Sequence, residues 1–98
     1  MITLINIFTV APERQNELLT LLQSLTAEVT STLPGFISAS FHRGIDGKHV
    51  ANYAQWESAA HWKAMVRHPG VQARMAAVVA IATFEPHLYE PVSSHPAR

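Results

Sequence analysis

The chain contains no cysteine. Disulfides, thiolate metal sites, iron–sulfur clusters and a cysteine nucleophile are therefore excluded. Charge is also scarce. Charged side chains make up 14% of the 98 residues, with 7 acidic against 7 basic. With no basic run, no nucleic-acid partner is expected, and no attachment to an anionic membrane. No glycine-rich dinucleotide fingerprint occurs. The 6 histidines form no His-x-x-x-His or His-x-His pair, so no metal site is expected. No apolar stretch is long enough to span a bilayer. The segment from Met1 to Asn6 lacks a basic region and a small-residue cleavage site, so it reads as a strand rather than a signal peptide. A soluble, cytoplasmic protein is the expectation.

What is present is apolar and patterned. Hydrophobic residues make up 48% of the chain, consistent with one small domain over residues 1–98. Residues 93–98 are expected to fray. Residues 2–10 are β-branched and apolar, and read as a strand. Pro12 then suits a first helical position. Leu18, Leu19, Leu22, Leu25 and Val29 form one helical stripe, stopped by Leu33-Pro34-Gly35. Residues 36–44 and 49–57 flank Asp46-Gly47, a strong signal for a two-residue type I′ hairpin. Ser58 can cap a second helix. His68-Pro69-Gly70 should break or kink it, and helical spacing resumes over residues 71–82. Residues 84–92 read as a last strand, at an edge or bulged because of Pro86 and Pro91.

The order β-α-β-β-α-β is the ferredoxin-like pattern of an α+β fold, with an antiparallel sheet whose first and third strands are central neighbours. One sheet face carries Thr3, Ile5, Ile7, Thr9, Ser38, Ser40, Tyr53 and Gln55. It is too apolar for water and has no helices to cover it, so a second copy should pack there, sheet against sheet.

The run Asn52-Tyr53-Ala54-Gln55-Trp56-Glu57-Ser58 carries the functional signal. Alternation puts Asn52, Ala54 and Trp56 on one strand face. An amide on a core face costs free energy unless it is bonded, so this face should line a pocket. Counting back from the hairpin pairs Phe41 with Asn52, Ala39 with Ala54 and Ile37 with Trp56, which makes Phe41 and Ile37 candidate substrate contacts. Asn6 shares its face with Ile2, Leu4 and Phe8. It either converges with Asn52 on the pocket or bonds a neighbouring backbone group. Trp62 fits the helical stripe with Met65 and Val66. It is a candidate substrate contact or a core residue. Met65 and Met75 read as core filler.

The Asn52 to Ser58 run and the hairpin segment Phe41-His42-Arg43-Gly44 resemble the antibiotic biosynthesis monooxygenase family. The likeness extends as pattern over residues 2–92. It implies a homodimeric α+β barrel and oxidation of an aromatic or quinol-type small molecule by O2 with no cofactor. By the same resemblance Asn52 and Trp56 match the family's pocket residues, and Asn6 matches a strand-one asparagine, which makes the three the catalytic candidates. Asn and Trp N–H groups suit a developing phenolate or enolate. His61 and His68 are the candidate bases, and Arg74 or Arg67 could stand for an arginine that some members carry. Haem-degrading relatives use an Asn, a Trp and an axial His, so haem binding is an alternative through His61 or His68. A non-catalytic ligand binder or an isomerase on the same barrel is another.

Overall fold

The computed structural model describes residues 1–98. Strand β1 (Ile2–Val10) leads through a 3₁₀ turn at Pro12–Arg14 into helix α1 (Gln15–Glu28). A second 3₁₀ turn, Thr30–Thr32, precedes β2 (Phe36–Arg43) and β3 (His49–Trp56). Helices α2 (Ala59–Arg67) and α3 (Pro69–Val79) follow, then β4 (Ala82–Tyr89). The four strands form one sheet in the order β2-β3-β1-β4, and all pairings are antiparallel. The fold is the ferredoxin-like α+β arrangement, with β1 and β3 central. No helix is long and apolar enough to cross a membrane.

The helices cover one sheet face. Phe8, Val10, Val50 and Val78 pack with Leu18, Leu19 and Leu22 of α1 into the main core. A smaller cluster of Leu4, Ala54 and Trp56 lies beside Phe36, Ala39, Trp62 and Met65. The other face is uncovered, and Ile7, Tyr53 and Tyr89 are 41%, 44% and 47% exposed on it.

Three local features differ from the sequence expectation. First, the β2–β3 loop is wider. Gly47 has φ +78 but no non-glycine residue has positive φ, so Asp46 cannot occupy a type I′ turn, which needs both central residues there. Instead the Gly47 N–H donates to the Gly44 carbonyl at 3.1 Å, and the Gly44 N–H to the His49 carbonyl at 2.7 Å. The loop widened symmetrically, so Phe41 still faces Asn52. The Asp46 carboxyl accepts the Lys48 backbone N–H at 2.8 Å and contacts His49 Nδ1 at 2.5 Å. First the Lys48 N–H and then the His49 ring hold it below its usual 3.8. Their stabilising contribution is present above that value and fades as pH falls through the lowered one.

Second, β2 is bulged. Phe36 pairs with Trp56 and Ser38 with Gln55, leaving Ile37 as the extra residue, 45% exposed. Strict alternation placed Ile37 opposite Trp56; the bulge puts Phe36 there. Third, β4 begins at Ala82 and ends at Tyr89, so it starts two residues earlier than residues 84–92 and excludes Pro91. Pro86 sits on the edge strand, where a missing N–H is tolerated.

Gly35, just before β2, has φ +83, and a Cβ there would lie 2.3 Å from the His61 Cγ. Both the backbone and the neighbouring ring demand glycine. Gly35→Ala is expected to destabilise the protein by about 1–3 kcal/mol, read as a lower Tm. An unchanged Tm would mean that the backbone at residue 35 relaxes out of its positive φ and that the His61 ring moves aside.

Candidate active site

Across the sheet, Phe41, Asn52, Asn6 and Pro86 stand in one row, each in register with the next. The neighbouring row is Ala39, Ala54, Leu4 and Leu88. Its two alanines leave room above the sheet where larger side chains would meet the helices. The result is a cavity of about 360 Å³ between the sheet and the helical layer, within the usual range for small-molecule sites.

The floor holds Asn6, Asn52, Phe41, Phe36, Trp56 and Ala54, while Trp62, Met65 and Val66 of α2 close it from above. Ser58 begins α2 by accepting the His61 backbone N–H at 3.2 Å. His68 begins α3: its Nδ1 accepts the Gly70 N–H at 3.0 Å, with Pro69 in the first turn. This break turns the two helices relative to one another and sets α2 over the floor. Trp56 is 1% exposed and packs edge-to-face on Phe36, with ring centroids 5.4 Å apart.

The polar groups are few and unspent. Asn6 Oδ1, Asn52 Oδ1 and Trp62 Nε1 are buried and have no hydrogen-bond partner. Each such group costs roughly 1–3 kcal/mol unless a ligand or water bonds it. Two asparagines face each other across β1 and β3, with an indole N–H in the same cavity. This arrangement suits a ligand with oxygen functions. Each amide can accept an O–H or, turned over, donate two N–H groups.

The cavity brings together Asn6, Asn52, Trp56, Phe41 and Trp62. Ile37, His61, His68 and Arg74 do not line it. The bulge turns Ile37 out. His61 Nδ1 is engaged by the Ser58 hydroxyl at 2.7 Å, and His68 caps α3. Arg74 pairs with Glu28 of α1, a tie between helices on the protein surface. No lining residue is titratable. No His, Asp or Glu set converges as a metal site would need. Met65 and Met75, expected as core filler, both line the cavity, as do Thr26, Thr30 and Gln72. Thr26 was detectable: four residues after Leu22, it puts a hydroxyl on the apolar face of α1, and Thr30, four further on, lies in the 3₁₀ turn beyond that helix.

The profile of the antibiotic biosynthesis monooxygenase family matches residues 1–77. Tetracenomycin-F1 monooxygenase from Streptomyces glaucescens is 47% identical over 72 residues, covering 74% of this chain. The matched segment spans 64% of that relative's length. Among solved structures, the monooxygenase from the ActVA-Orf6 gene of Streptomyces coelicolor, in complex with nanaomycin D, superposes with a TM-score of 0.87 at 25% identity. That match covers 99% of this chain and 92% of the other. A mutant of SnoaB, a cofactor-independent oxygenase from Streptomyces nogalater, superposes at 0.84 with 24% identity over 98% and 97% of the two chains.

Proposed function

The chain belongs to the antibiotic biosynthesis monooxygenase family, and on that premise we propose that it oxidises an aromatic, quinol-type small molecule with O2, without a cofactor. The observation that carries this reading is the pair of unpartnered amides, Asn6 and Asn52, facing one another on the floor of an apolar cavity. A neutral phenol or enol donates its O–H to an asparagine Oδ1. No lining side chain can take the proton, so it passes to solvent, and the turned amides and the Trp62 N–H stabilise the oxyanion. The aromatic walls, Trp56, Phe41 and Phe36, hold a flat ring system. The electron-rich anion passes an electron to O2. The resulting radicals join as a peroxide anion, which takes a proton back from solvent and loses water. A ring CH2 plus O2 thus becomes a ring C=O plus H2O, and the organic anion is the only reductant required.

No histidine lines the cavity, so a haem placed there would find no axial imidazole and the haem reading loses its support. The absence of a titratable lining residue also sets the pH dependence. Ionisation of the substrate itself, not of His61 or His68, governs the rate. Turnover is expected to rise with pH along the titration of whichever phenol is supplied, so that two quinols of different acidity give displaced profiles. A single midpoint near the histidine range for both would assign the base to the protein. The activity itself is tested with anthrone-type quinols and isotopically labelled O2. The expected result is quinone carrying one labelled oxygen, with one O2 consumed for each molecule formed. Binding without O2 uptake would favour the non-catalytic reading.

Assembly follows from the uncovered face. Ile7, Tyr53 and Tyr89 are buried against the same face of a second copy, making a closed two-sheet barrel. Light scattering at micromolar concentration should report a dimer, and Ile7→Lys should shift it to monomer. A wild-type monomer with intact circular dichroism would sink the dimer.

A further inference from the structure

Resting on the oxygenase reading, we infer that Met65 and Met75 are modification sites: their thioethers intercept the organic hydroperoxide formed in the cavity and become sulfoxides. The chain has 3 methionines and no cysteine. Met1 stands at the terminus, 62% exposed. Met65 and Met75 are half-buried, and both line the cavity. They flank the row of amides. Phe8 pairs with Val50 one row to one side of Asn6 and Asn52, and Leu4 pairs with Ala54 one row to the other. Met75 packs against the core cluster that holds Phe8 and Val50, and Met65 against the cluster that holds Leu4 and Ala54. Such rows are two residues apart, about 6.6 Å along a strand. A peroxide on a ring carbon over the amides therefore has a thioether on either side, and no acid lines the cavity to hasten its loss of water. Packing alone does not require sulfur here, since leucine fills a similar volume. A sulfur lone pair attacks the outer oxygen of the hydroperoxide, the O–O bond breaks, and the peroxide's proton passes to the oxygen left on carbon. The thioether loses two electrons and becomes a sulfoxide. The hydroperoxide gains two and leaves as a ring alcohol instead of a quinone. A sulfoxide is polar and suits an apolar cavity poorly, so each such event ends the working life of one protein molecule.

The test treats the intact protein with cumene hydroperoxide, an aromatic hydroperoxide small enough for the cavity, and reads each methionine by mass spectrometry of its peptide. A bound hydroperoxide meets the thioethers within one complex, so Met65 and Met75 are expected to oxidise about ten-fold faster than Met1. Hydrogen peroxide has no apolar surface to hold it in the cavity and should oxidise Met1 first. Cumene hydroperoxide attacking Met1 first would overturn the assignment, as would one order of sites with both oxidants. During turnover of an anthrone-type quinol under labelled O2, with catalase present, Met65 and Met75 should gain labelled oxygen while Met1 does not. The double substitution Met65→Leu with Met75→Leu conserves volume and should complete more turnovers before activity is lost, whatever its initial rate. An unchanged number of turnovers, or loss of activity without labelled sulfoxide, would overturn the assignment and leave the oxygenase reading standing. Selective oxidation by cumene hydroperoxide in a protein that consumes no O2 would sink the oxygenase reading and keep the two sites.

Discussion

Replacing Asn52 with alanine is expected to slow turnover of an accepted quinol by roughly 10²–10³, the loss typical of an oxyanion donor, about 2.7–4 kcal/mol in the transition state. The same position should affect stability in the opposite direction. Asn52 Oδ1 is buried with no partner in the protein, so Asn52→Leu should abolish turnover while raising the Tm, because an amide without a protein partner is exchanged for an apolar group. Asn6→Leu should behave alike. As the two amides face one another and serve one oxygen, the double variant should lose less than the product of the single losses. The measurements are steady-state kinetics and thermal melts on the same preparations. Wild-type turnover in Asn52→Ala, with an unchanged Tm, would move the chemistry away from the floor of the cavity.

The second large effect is on the fold. Trp56 is fully buried and rests edge-to-face on Phe36. Trp56→Ala should cost about 3–5 kcal/mol, a large share of the roughly 5–15 kcal/mol that holds such a domain together. Trp56→Phe keeps most of the ring surface and should leave a folded, active protein with a smaller loss of stability. Trp62 should respond differently. It sits on α2, which has no fully buried residue, and its N–H has no partner. Trp62→Phe should therefore slow turnover with little change in Tm. Urea denaturation separates the two tryptophans. If Trp56→Ala melts like the wild type, the second core cluster contributes little, and the aromatic floor is a ligand surface only.

The parts of the structure that were legible in the sequence are those set by period and by punctuation. Alternation placed Asn52 and Trp56 on one face, and Ser58 and His68-Pro69-Gly70 marked the helix boundaries where they occur. The meeting of Asn6 with Asn52 required the topology, since 46 residues separate them in the chain and only the β1–β3 pairing aligns them. The bulge was not legible. Ile37, Ala39 and Phe41 alternate without interruption, and nothing local announces that Phe36 fits against Trp56 better than Ile37 does. The histidines misled for a related reason. Their titration range suggests acid–base chemistry, but His61 fills the space that Gly35 leaves empty and His68 caps a helix. Both roles are visible only once Gly35 and Gly70 lie beside them. The Arg74–Glu28 pair joins separate helices, and no spacing rule along one helix reaches that far.

The extra residue in β2 has a bearing on solubility. An outer strand offers its unpaired N–H and C=O groups to any other extended chain, which is how sheets grow into fibrils. Here the irregularity at Ile37 breaks the even spacing of those groups along one rim. On the opposite rim Pro86 withholds a donor. Growth by adding strands side by side is thus discouraged at both margins. Straightening β2, for example by deleting Ile37, would restore a regular rim, and thioflavin fluorescence on prolonged incubation should then develop faster than in the parent protein.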